Sequence, residues 1–307
     1  GGMLVQTIPA YRLPREVVAR EIRMIERMGV DILTGKCLGK DFTLSSLREE
    51  GYEAVFIAVG SPIGVRLKIA GSDAEGVTDA MNFLRAYSIK GSAEVGQKVV
   101  VIGGGNAAID AARTAVRLGA KNVTIVYRRT QADMPAFMEE ISEALLEGVK
   151  IKELTNPEEI ITENGKVKAV KCHAMKLGGF DSTGRRKPVK NGQTFVVEAD
   201  MVIFACGQTL DSSQLFHRDE LQPVSGYRIM ADQLTGQTAM PWVFAGGDAA
   251  SGPSSVIHAV AAGERAARSP SRSRFRESGR HWSSRFPRST RTPPTVFRSR
   301  CDKARRR

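Results

Sequence analysis

Residues 99–129 read VVVIGGGNAAIDAARTAVRLGAKNVTIVYRR, and this stretch decides the fold. Apolar residues lead into the turn Gly103-x-Gly105-x-x-Ala108, and a helical pattern of apolar positions follows over 106–118. A second apolar strand pattern, Val123–Tyr127, comes after the helix. A buried strand, a glycine turn, a helix and another strand in this order predict a βαβ unit with parallel strands.

The spacing of small residues in the turn is typical of dinucleotide binding. Gly103 permits a tight turn, Gly105 lets the backbone approach a pyrophosphate, and Ala108 lets the helix pack closely on the strand. Gly104 and Asn106 complete the start of a helix whose free N–H groups and positive dipole end favour an anion. The alternative is an ordinary tight strand-to-helix turn, but the full context favours dinucleotide binding.

The residues after the second strand indicate which dinucleotide binds. A site for NAD places a carboxylate there, which accepts a hydrogen bond from the ribose 2′-hydroxyl. The chain instead has Arg128 and Arg129, with no acidic residue before Asp133. Guanidinium groups form bidentate hydrogen bonds to phosphate oxygens, so the pair predicts a site for the 2′-phosphate of NADPH. The alternative is that both arginines belong to a solvated loop.

The wider pattern predicts an α/β fold, a doubly wound parallel sheet, because strand and helix patterns alternate up to residue 147. From residue 149 to 206 the pattern changes to strands, which predicts an antiparallel insertion. The predicted helices are Pro14–Met28, Leu44–Glu50 with Thr43 as N-cap, Asp79–Tyr87, Asn106–Leu118, Pro135–Glu147 and one that begins at Ser254. The predicted strands are Val30–Leu33, Ala54–Val59, Lys98–Ile102, Val123–Tyr127, Lys150–Leu154, Glu159–Thr162, Val167–Met175, Phe195–Glu198, Met201–Cys206 and Trp242–Ala245.

A second glycine turn follows the last of these strands. Asp248, after Gly247, is placed to accept a hydrogen bond from a polyol hydroxyl. Ser255 and Val256 open the next helix, where their N–H groups face an electron-rich ring edge at the positive helix end. A Gly-Gly-Asp turn that only caps a helix explains the same spacing.

The charge of the chain is concentrated in one segment. The formal net charge is +12, and residues 268–307 carry all of it, since the rest of the chain has equal numbers of acidic and basic residues. This Arg- and Ser-rich tail shows neither a helical nor a strand period, which predicts disorder. A segment translated out of frame explains this composition best. The alternatives are an arm that binds RNA or another polyanion and a basic targeting segment, and no specific nucleic-acid partner is predicted.

Other features exclude several classes of protein. No apolar run approaches the roughly 20 residues that span a bilayer, and no secretory signal is visible. The cysteines form no C-x-x-C pair, which excludes a zinc ribbon or an iron–sulfur cluster built from local motifs and favours a reducing, cytoplasmic location. No metal site is predicted, because neither His173 nor His258 has ligands at suitable spacing. The cysteines are Cys37, Cys172, Cys206 and Cys301.

Several motifs occur in an order that points to one family. They are GGML (1–4), IPAYRLPREV (8–17), Ala58-Val59-Gly60, GGGNAAIDAAR (103–113), YRRT (127–130), Met134-Pro135-Ala136, ACGQ (205–208) and AGGDAASGPSSVIHAVAAGERAA (245–267). Together they resemble the glutamate synthase small-subunit family of NADPH-dependent flavin oxidoreductases over about residues 1–267. The resemblance implies that hydride passes from NADPH to FAD, and that electrons then pass singly to iron–sulfur centres.

The resemblance also implies a domain plan and a set of cofactor-binding residues. An NADPH domain at 62–207 would be inserted between two segments of an FAD domain, 1–61 and 208–267, with the tail at 268–307. No catalytic side chain is implied. The implied cofactor-binding residues are Gly103, Gly104, Gly105, Asn106 and Ala108 for the NADPH pyrophosphate, Arg128 and Arg129 for its 2′-phosphate, Gly207, Gly247 and Asp248 for the FAD, and Ser255 and Val256 near the flavin.

The sequence departs from the family in one respect. Members carry a G-x-G-x-x-G fingerprint for FAD and a cysteine-rich cluster domain ahead of the GGML segment, and this sequence shows neither. We therefore expect the C-terminal part of a longer oxidoreductase, whose iron–sulfur clusters lie in the preceding part or in a partner subunit. Related chains serve other electron acceptors, and residues 1–267 do not distinguish among them. The alternative from another class is a non-catalytic nucleotide-binding module with a polyanion-binding tail.

Overall fold

A computed structural model describes residues 1–182, 184–211, 223–224, 228–278 and 296–298. They form two compact units. Unit 1 comprises residues 1–2, 16–63 and the described part of 208–307, and unit 2 comprises residues 3–15 and 64–207. Cys301 and most of the predicted tail lie outside the described residues.

The bounds of the elements follow in chain order. The helices are α1 Met3–Gln6, α2 Arg15–Arg27, α3 Leu44–Glu49, α4 Ala80–Lys90, α5 Asn106–Arg117, α6 Met138–Leu146, α7 Asp248–Ser251 and α8 Val256–Ser278, with a 3-10 turn at Gln131–Asp133. The strands are β1 Asp31–Leu33, β2 Val55–Ile57, β3 Ile63–Gly64, β4 Val77–Asp79, β5 Lys98–Ile102, β6 Asn122–Val126, β7 Lys150–Lys152, β8 Thr155–Glu163, β9 Lys166–Phe180, β10 Arg186–Glu198, β11 Met201–Phe204, β12 Gln208–Thr209, β13 Pro223–Val224, β14 Arg228–Ile229, β15 Val243–Ala245 and β16 Val296–Arg298.

Unit 2 is built on a five-stranded sheet in the order β4-β11-β5-β6-β7. All four strand pairs in it are parallel. Side chains alternate between the faces of a strand, and both faces of β5 are buried. Val99 and Val101 pack with helices α4, α5 and α6, whereas Val100 and Ile102 pack into a second cluster on the opposite face. The predicted α/β class with a parallel sheet is confirmed.

The two faces of this sheet are covered in different ways. The second cluster contains Ile160, Val167 and Val170, which belong to the antiparallel sheet β10-β9-β8. This sheet, and not a second layer of helices, therefore packs on that face of the parallel sheet. The strand-rich pattern after residue 149 indicated an antiparallel insertion, and the structure shows that the insertion contributes buried side chains to the second of the two core clusters of unit 2.

In unit 1, β2 and β15 form a parallel pair in the register Val55–Val243 to Ile57–Ala245. Its core contains Leu44 of α3 and Ala249 of α7. Thr43 caps α3 as predicted, and its hydroxyl accepts a hydrogen bond from the Ser46 N–H at 3.0 Å. The predicted strand Ala54–Val59 is shorter in the structure and only partly buried, because Phe56 and Val59 are exposed.

Residues 3–15 differ from the predicted domain plan, which assigned them to the first FAD segment. They lie in unit 2 because two arginines bind them there. Nη1 of Arg12 donates to both carboxylate oxygens of Asp110 in α5, with both distances 2.9 Å. Arg15 donates to the carbonyls of Leu4 and Ile8 and to the Ser88 hydroxyl of α4. Arginine 12 also reaches Glu140 of α6 at 2.9 Å.

Two helices differ from prediction in their length. Helix α6 begins at Met138 and not at Pro135, because residues 131–133 form a 3-10 turn and the Ala136 N–H donates to the Gly104 carbonyl. Helix α8 continues to Ser278, beyond the point where disorder is predicted, and Val296–Arg298 pairs with β1. An ion pair between Glu264 and Arg268 supports the extension, since residues four apart on a helix are neighbours. Over the described residues, no helix has the length and apolar character needed to cross a membrane.

Candidate dinucleotide sites

The glycine turn of unit 2 lies where three adjacent strands end. Strands β11, β5 and β6 are neighbours and run in parallel, so their carboxyl ends share one edge of the sheet. The Gly103 N–H donates to the Val126 carbonyl at 3.1 Å, and Gly103 has φ +148°. A Cβ at Gly103 would lie 2.3 Å from the Ala205 carbonyl oxygen. Only glycine fits this turn between β5 and β11.

Gly104 and Gly105 serve different purposes. A Cβ at Gly104 would lie 2.5 Å from Cε2 of Tyr127, so the backbone there rests directly on the tyrosine ring. A Cβ at Gly105 would meet nothing closer than Cγ of Pro135 at 4.0 Å. Gly105 is the N-cap of α5 and offers no side-chain hydrogen bond to the first turn. The structure thus leaves an open space beside the first N–H groups of α5, which suits a phosphate.

Ala108 and Asn106 occupy the first turn of α5. Ala108 is fully buried, and its N–H donates to the Gly105 carbonyl at 2.9 Å. The Asn106 side-chain oxygen accepts a hydrogen bond from the Phe137 N–H at 3.0 Å. The carbonyl end of the Asn106 side chain therefore fixes the segment that precedes α6.

Arg128 follows β6 and is exposed. Within the described part of the chain, no hydrogen bond or ion pair engages its guanidinium. Burial raises the pKa of the thiol of Cys206, which follows β11, to about 11. The positive charge of Arg128 acts in the opposite direction and lowers this pKa. Gly207, with φ +129°, lies at the same edge and accepts a hydrogen bond from the Val65 N–H at 3.0 Å. The structure thus brings Arg128 and Gly207 to the strand ends that also carry the glycine turn.

Arg129, the second of the two arginines predicted to bind the 2′-phosphate, is engaged within the chain. It is 5% exposed, and its Nη2 lies 3.0 Å from an oxygen of Asp181. Its Nε donates to the Arg186 carbonyl at 2.8 Å. The hairpin of β9 and β10, which carries Asp181 and Arg186, therefore engages the Arg129 guanidinium.

Asp133 is the first acidic residue after β6, and its carboxylate is already engaged. It accepts hydrogen bonds from the Thr130 hydroxyl at 2.6 Å and from the Thr130 N–H at 3.2 Å. The hydrogen bond from the Thr130 hydroxyl is the largest cause that lowers the pKa of Asp133. This carboxylate stabilises its own loop.

The second predicted site lies in unit 1 at the end of β15. Gly247 adopts φ +60° and ψ −153°, a conformation that is almost confined to glycine. The Asp248 carboxylate accepts a hydrogen bond from the Ser254 N–H at 3.1 Å, and its partial burial raises its pKa. The Ser61 hydroxyl donates to the Asp248 carbonyl at 2.9 Å, which joins the turn to the segment after β2. The structure brings Gly247 and Asp248 into one rigid turn.

Ser255 and Val256 lie at the start of α8. The Ser255 hydroxyl lies 2.8 Å from Nδ1 of His258 and accepts a hydrogen bond from the His258 N–H at 3.5 Å. Val256 is exposed. Ser255 is thus an N-cap residue, and it holds the histidine ring against the helix end.

No group of three or more His, Cys, Asp or Glu side chains could hold a metal ion in the residues that the structure describes. The cysteines among them, Cys37, Cys172 and Cys206, form no disulfide.

Sequence reasoning assigned no role to three residues that shape the site in unit 2. Tyr127 lies beneath Gly104, Pro135 faces Gly105, and the Arg185 guanidinium donates to the Tyr127 hydroxyl at 3.1 Å. One feature of the sequence pointed to the tyrosine. The fingerprint requires glycine at 103 and 105, so a third glycine at 104 indicates a bulky neighbour. Nothing local in the sequence indicated Arg185, which lies far along the chain.

Comparison with known proteins bears on this geometry. Residues 4–263 match the family described as pyridine nucleotide-disulphide oxidoreductase. The beta subunit of the NADP(+)-dependent formate dehydrogenase of Moorella thermoacetica is 43% identical over 273 residues, which cover 87% of this chain and 38% of that protein. The small chain of the NADPH-type glutamate synthase of Escherichia coli K12 is 36% identical over 283 residues, which cover 87% of this chain and 60% of that protein. The chain thus spans less than two thirds of the length of these relatives.

A solved structure shows the same fold. FprA from Mycobacterium tuberculosis in complex with NADPH has a TM-score of 0.74 at 19% identity, over 93% of this chain and 78% of that one. The predicted resemblance to the glutamate synthase small-subunit family is confirmed by the sequence matches. On the match over residues 4–263, the chain belongs to the pyridine nucleotide-disulphide oxidoreductase family, which comprises FAD- and NADP-binding enzymes.

Proposed function

We propose that the chain transfers hydride from NADPH to FAD and that the electrons pass on to iron–sulfur centres or to a partner subunit. One observation carries the proposal. The open backbone at Gly105 and the exposed Arg128 lie at the same edge of the parallel sheet. Bound NADPH would place its pyrophosphate at the turn and its 2′-phosphate, the group that distinguishes it from NADH, at the end of β6.

Different residues of unit 2 bind different groups of NADPH. Gly103 shapes the turn, and Gly105 admits the pyrophosphate to the first N–H groups of α5. Arg128 has no competing carboxylate within the described residues, so its guanidinium is available to the 2′-phosphate. Among the described residues, the first carboxylate after β6 is that of Asp133, which accepts hydrogen bonds from Thr130, and this supports NADPH over NADH.

The residues of unit 1 fit a flavin dinucleotide. Asp248 is a half-buried carboxylate that is suited to accept a hydrogen bond from a polyol hydroxyl, and the conformation of Gly247 fixes its position. Ser255 and Val256 would present N–H groups near the ring edge. FAD, when bound, supplies the chemistry of accepting a hydride and releasing electrons one at a time.

The relatives support a proposal for the protein that accepts the electrons. The Moorella and E. coli relatives are named as a beta subunit and a small chain. We therefore propose a partner subunit or fused domain that holds the iron–sulfur clusters, and a cytoplasmic location.

Anaerobic mixing of the full chain with NADPH and saturating FAD tests the proposal. We expect the yellow absorbance of the flavin to bleach with NADPH, and much more slowly with NADH. The matched control is Gly105→Ala, which obstructs the pyrophosphate site and should slow bleaching by NADPH.

The second candidate function is a non-catalytic nucleotide-binding module whose tail binds polyanions. The concentration of positive charge in residues 268–307 favours this candidate. Tight binding of NADPH without any bleaching of saturating FAD would support this candidate and contradict hydride transfer.

A further inference from the structure

The loop between β9 and β10 brings a third arginine to the proposed NADPH site. Arg185 precedes β10, and its Nη2 donates to the Tyr127 hydroxyl at 3.1 Å and to the Asp133 carbonyl. The Tyr127 ring lies directly beneath Gly104. The Tyr127 ring therefore lies between the Arg185 guanidinium and the glycine turn. Arg185 is thus close to the end of β6, which Arg128 follows.

Among the described residues, the hydrogen-bond acceptors of the Arg185 guanidinium are neutral groups. The Tyr127 hydroxyl and a carbonyl are neutral acceptors, and both contact the same guanidinium nitrogen. The nearby Asp133 carboxylate, whose Oδ2 accepts hydrogen bonds from Thr130, acts on Arg185 through its charge but forms no ion pair with it among the described residues. The Asp181 carboxylate pairs with Arg129. A guanidinium with five donors that uses only one nitrogen retains the fork that binds phosphate oxygens.

Arg129 fixes the loop that carries Arg185. Asp181 uses one carboxylate oxygen for Nη2 of Arg129 and the other for the Arg185 N–H at 3.1 Å. The Asp181 N–H donates to the Arg185 carbonyl at 2.7 Å, which closes the turn. Arg129 also donates to the Arg186 carbonyl, so the buried arginine holds the backbone on both sides of Arg185.

We propose that Arg185, together with Arg128, binds the 2′-phosphate of NADPH, and that Arg129 is a positioning residue that places Arg185 there. This inference rests on the proposed function, because it specifies the phosphate-binding residues of the same site. It differs from the expectation for adjacent arginines, since the second guanidinium comes from a loop more than fifty residues further along the chain.

Calorimetric titration of the full chain with 2′,5′-ADP and with 5′-AMP tests this assignment without flavin or turnover. The first probe carries the 2′-phosphate and the second lacks it. For Arg185→Ala we expect the Kd for 2′,5′-ADP to rise about tenfold or more, as the loss of a charge-assisted hydrogen bond implies, with an unchanged Kd for 5′-AMP. Arg185→Lys keeps the charge but not the fork and should give an intermediate Kd.

Two controls separate this role from general effects of charge and folding. Lys187→Ala removes the same charge from an exposed position two residues away and should leave both Kd values unchanged. Arg129→Ala should weaken 2′,5′-ADP binding when Arg185 is present and add little when Arg185 is already alanine, because the two residues act as one unit. Additive losses in this double-mutant cycle would contradict the positioning role.

The outcomes distinguish the inference from the proposed function. A wild-type chain that binds both probes equally would overturn both. A wild-type preference for 2′,5′-ADP that survives intact in the folded Arg185→Ala and Arg185→Lys variants would overturn the assignment of Arg185, while the NADPH site itself would stand. Circular dichroism of each variant establishes that it is folded.

Discussion

Single residues decide what the glycine turn of unit 2 can do. Gly103, Gly104 and Gly105 are adjacent, yet a side chain would meet a carbonyl at the first, a ring at the second and open space at the third. The first two glycines are required by the fold. The third is required only by a ligand that approaches the backbone. A substitution at Gly105 can therefore change ligand binding without changing the stability of the fold.

A pair of alanine substitutions tests that separation. Gly104→Ala places Cβ against Tyr127 and should lower the free energy of unfolding by about 1–3 kcal/mol, as overpacking does. Gly105→Ala should leave it within about 1 kcal/mol of wild type, since φ −89° suits alanine. Its Kd for NADPH should nevertheless rise about tenfold or more. Chemical denaturation and calorimetry check both, and a Gly105→Ala chain that binds NADPH normally would show that the pyrophosphate lies elsewhere.

Asp110 makes the stability of unit 2 depend on pH. Burial raises the pKa of Asp110 from 3.8 to about 6, against the opposing effect of Arg12. Because the folded state holds this proton more tightly than the unfolded chain, the contribution of Asp110 to stability is full below about pH 4 and is lost as the pH rises through 6. Relative to Asp110→Asn, the wild-type free energy of unfolding should fall by about 3 kcal/mol over this range.

Urea denaturation at several pH values measures this difference. Asp73→Asn, which changes an exposed carboxylate, is the control, and its stability should follow the wild type at every pH. If the wild type and Asp110→Asn also gave parallel curves, Asp110 would not titrate in this range.

At the scale of elements, helices α5 and α6 are joined by a largely buried ionic network. The Arg113 side chain is 6% exposed and lies 2.6 Å from Glu140 and 2.7 Å from Glu147. Its guanidinium also lies 4.9 Å from the centre of the Tyr11 ring. The network connects the N-terminal segment of unit 2 with both helices that flank the glycine turn.

Arg113→Ala should destabilise the chain by about 1.5–3 kcal/mol, because it removes buried charge-assisted hydrogen bonds to Glu140 and Glu147, although Arg12 and Arg117 still pair with these carboxylates. Arg20→Ala, which removes an arginine that is exposed and pairs with Glu21 at 3.3 Å, should change stability by less than about 1 kcal/mol. Thermal and urea denaturation measure both changes. Equal losses of stability for the two substitutions would mean that the buried ion pairs of Arg113 contribute no more to folding than an exposed pair does.

Local sequence patterns predicted the strand and helix on either side of the glycine turn. The other parts of the site depend on tertiary contacts, which local patterns do not predict. Strand β5 and helix α5 were predicted to within one residue, because both have a strong period and the glycine turn fixes their junction. The engagement of Arg129 and the arrival of Arg185 were not predictable, since Asp181 and Arg185 lie some fifty residues away in sequence. The start of α6 was misplaced because Ala136 bonds to Gly104 and not within its own helix.

At the scale of the whole molecule, the buried side chains and the net charge lie in different parts of the chain. The last described buried side chain of α8 is that of Ala266, whereas all of the net charge lies in residues 268–307. Removal of residues 270–307 should therefore shift Tm by only a few degrees, about the effect of 1 kcal/mol, through loss of the short pairing of β16 with β1.

The same deletion should abolish binding to heparin, which in the full chain should weaken steeply with salt, as counterion release requires. A chain in which the arginines of residues 280–307 are replaced by serine is the control for length and should also lose binding. A preference for one nucleic-acid sequence at physiological salt, or unfolding on deletion, would make the tail a functional element.

Calorimetric titration of the full chain with NADPH and NADH tests the central claim most directly, that unit 2 binds NADPH through its glycine turn and an arginine after β6. The wild type should bind NADPH about tenfold or more tightly than NADH. Arg128→Ala should reduce this preference by weakening the binding of NADPH and not of NADH, while Arg20→Ala should leave it intact. Equal affinity of the wild-type chain for the two nucleotides would contradict the claim.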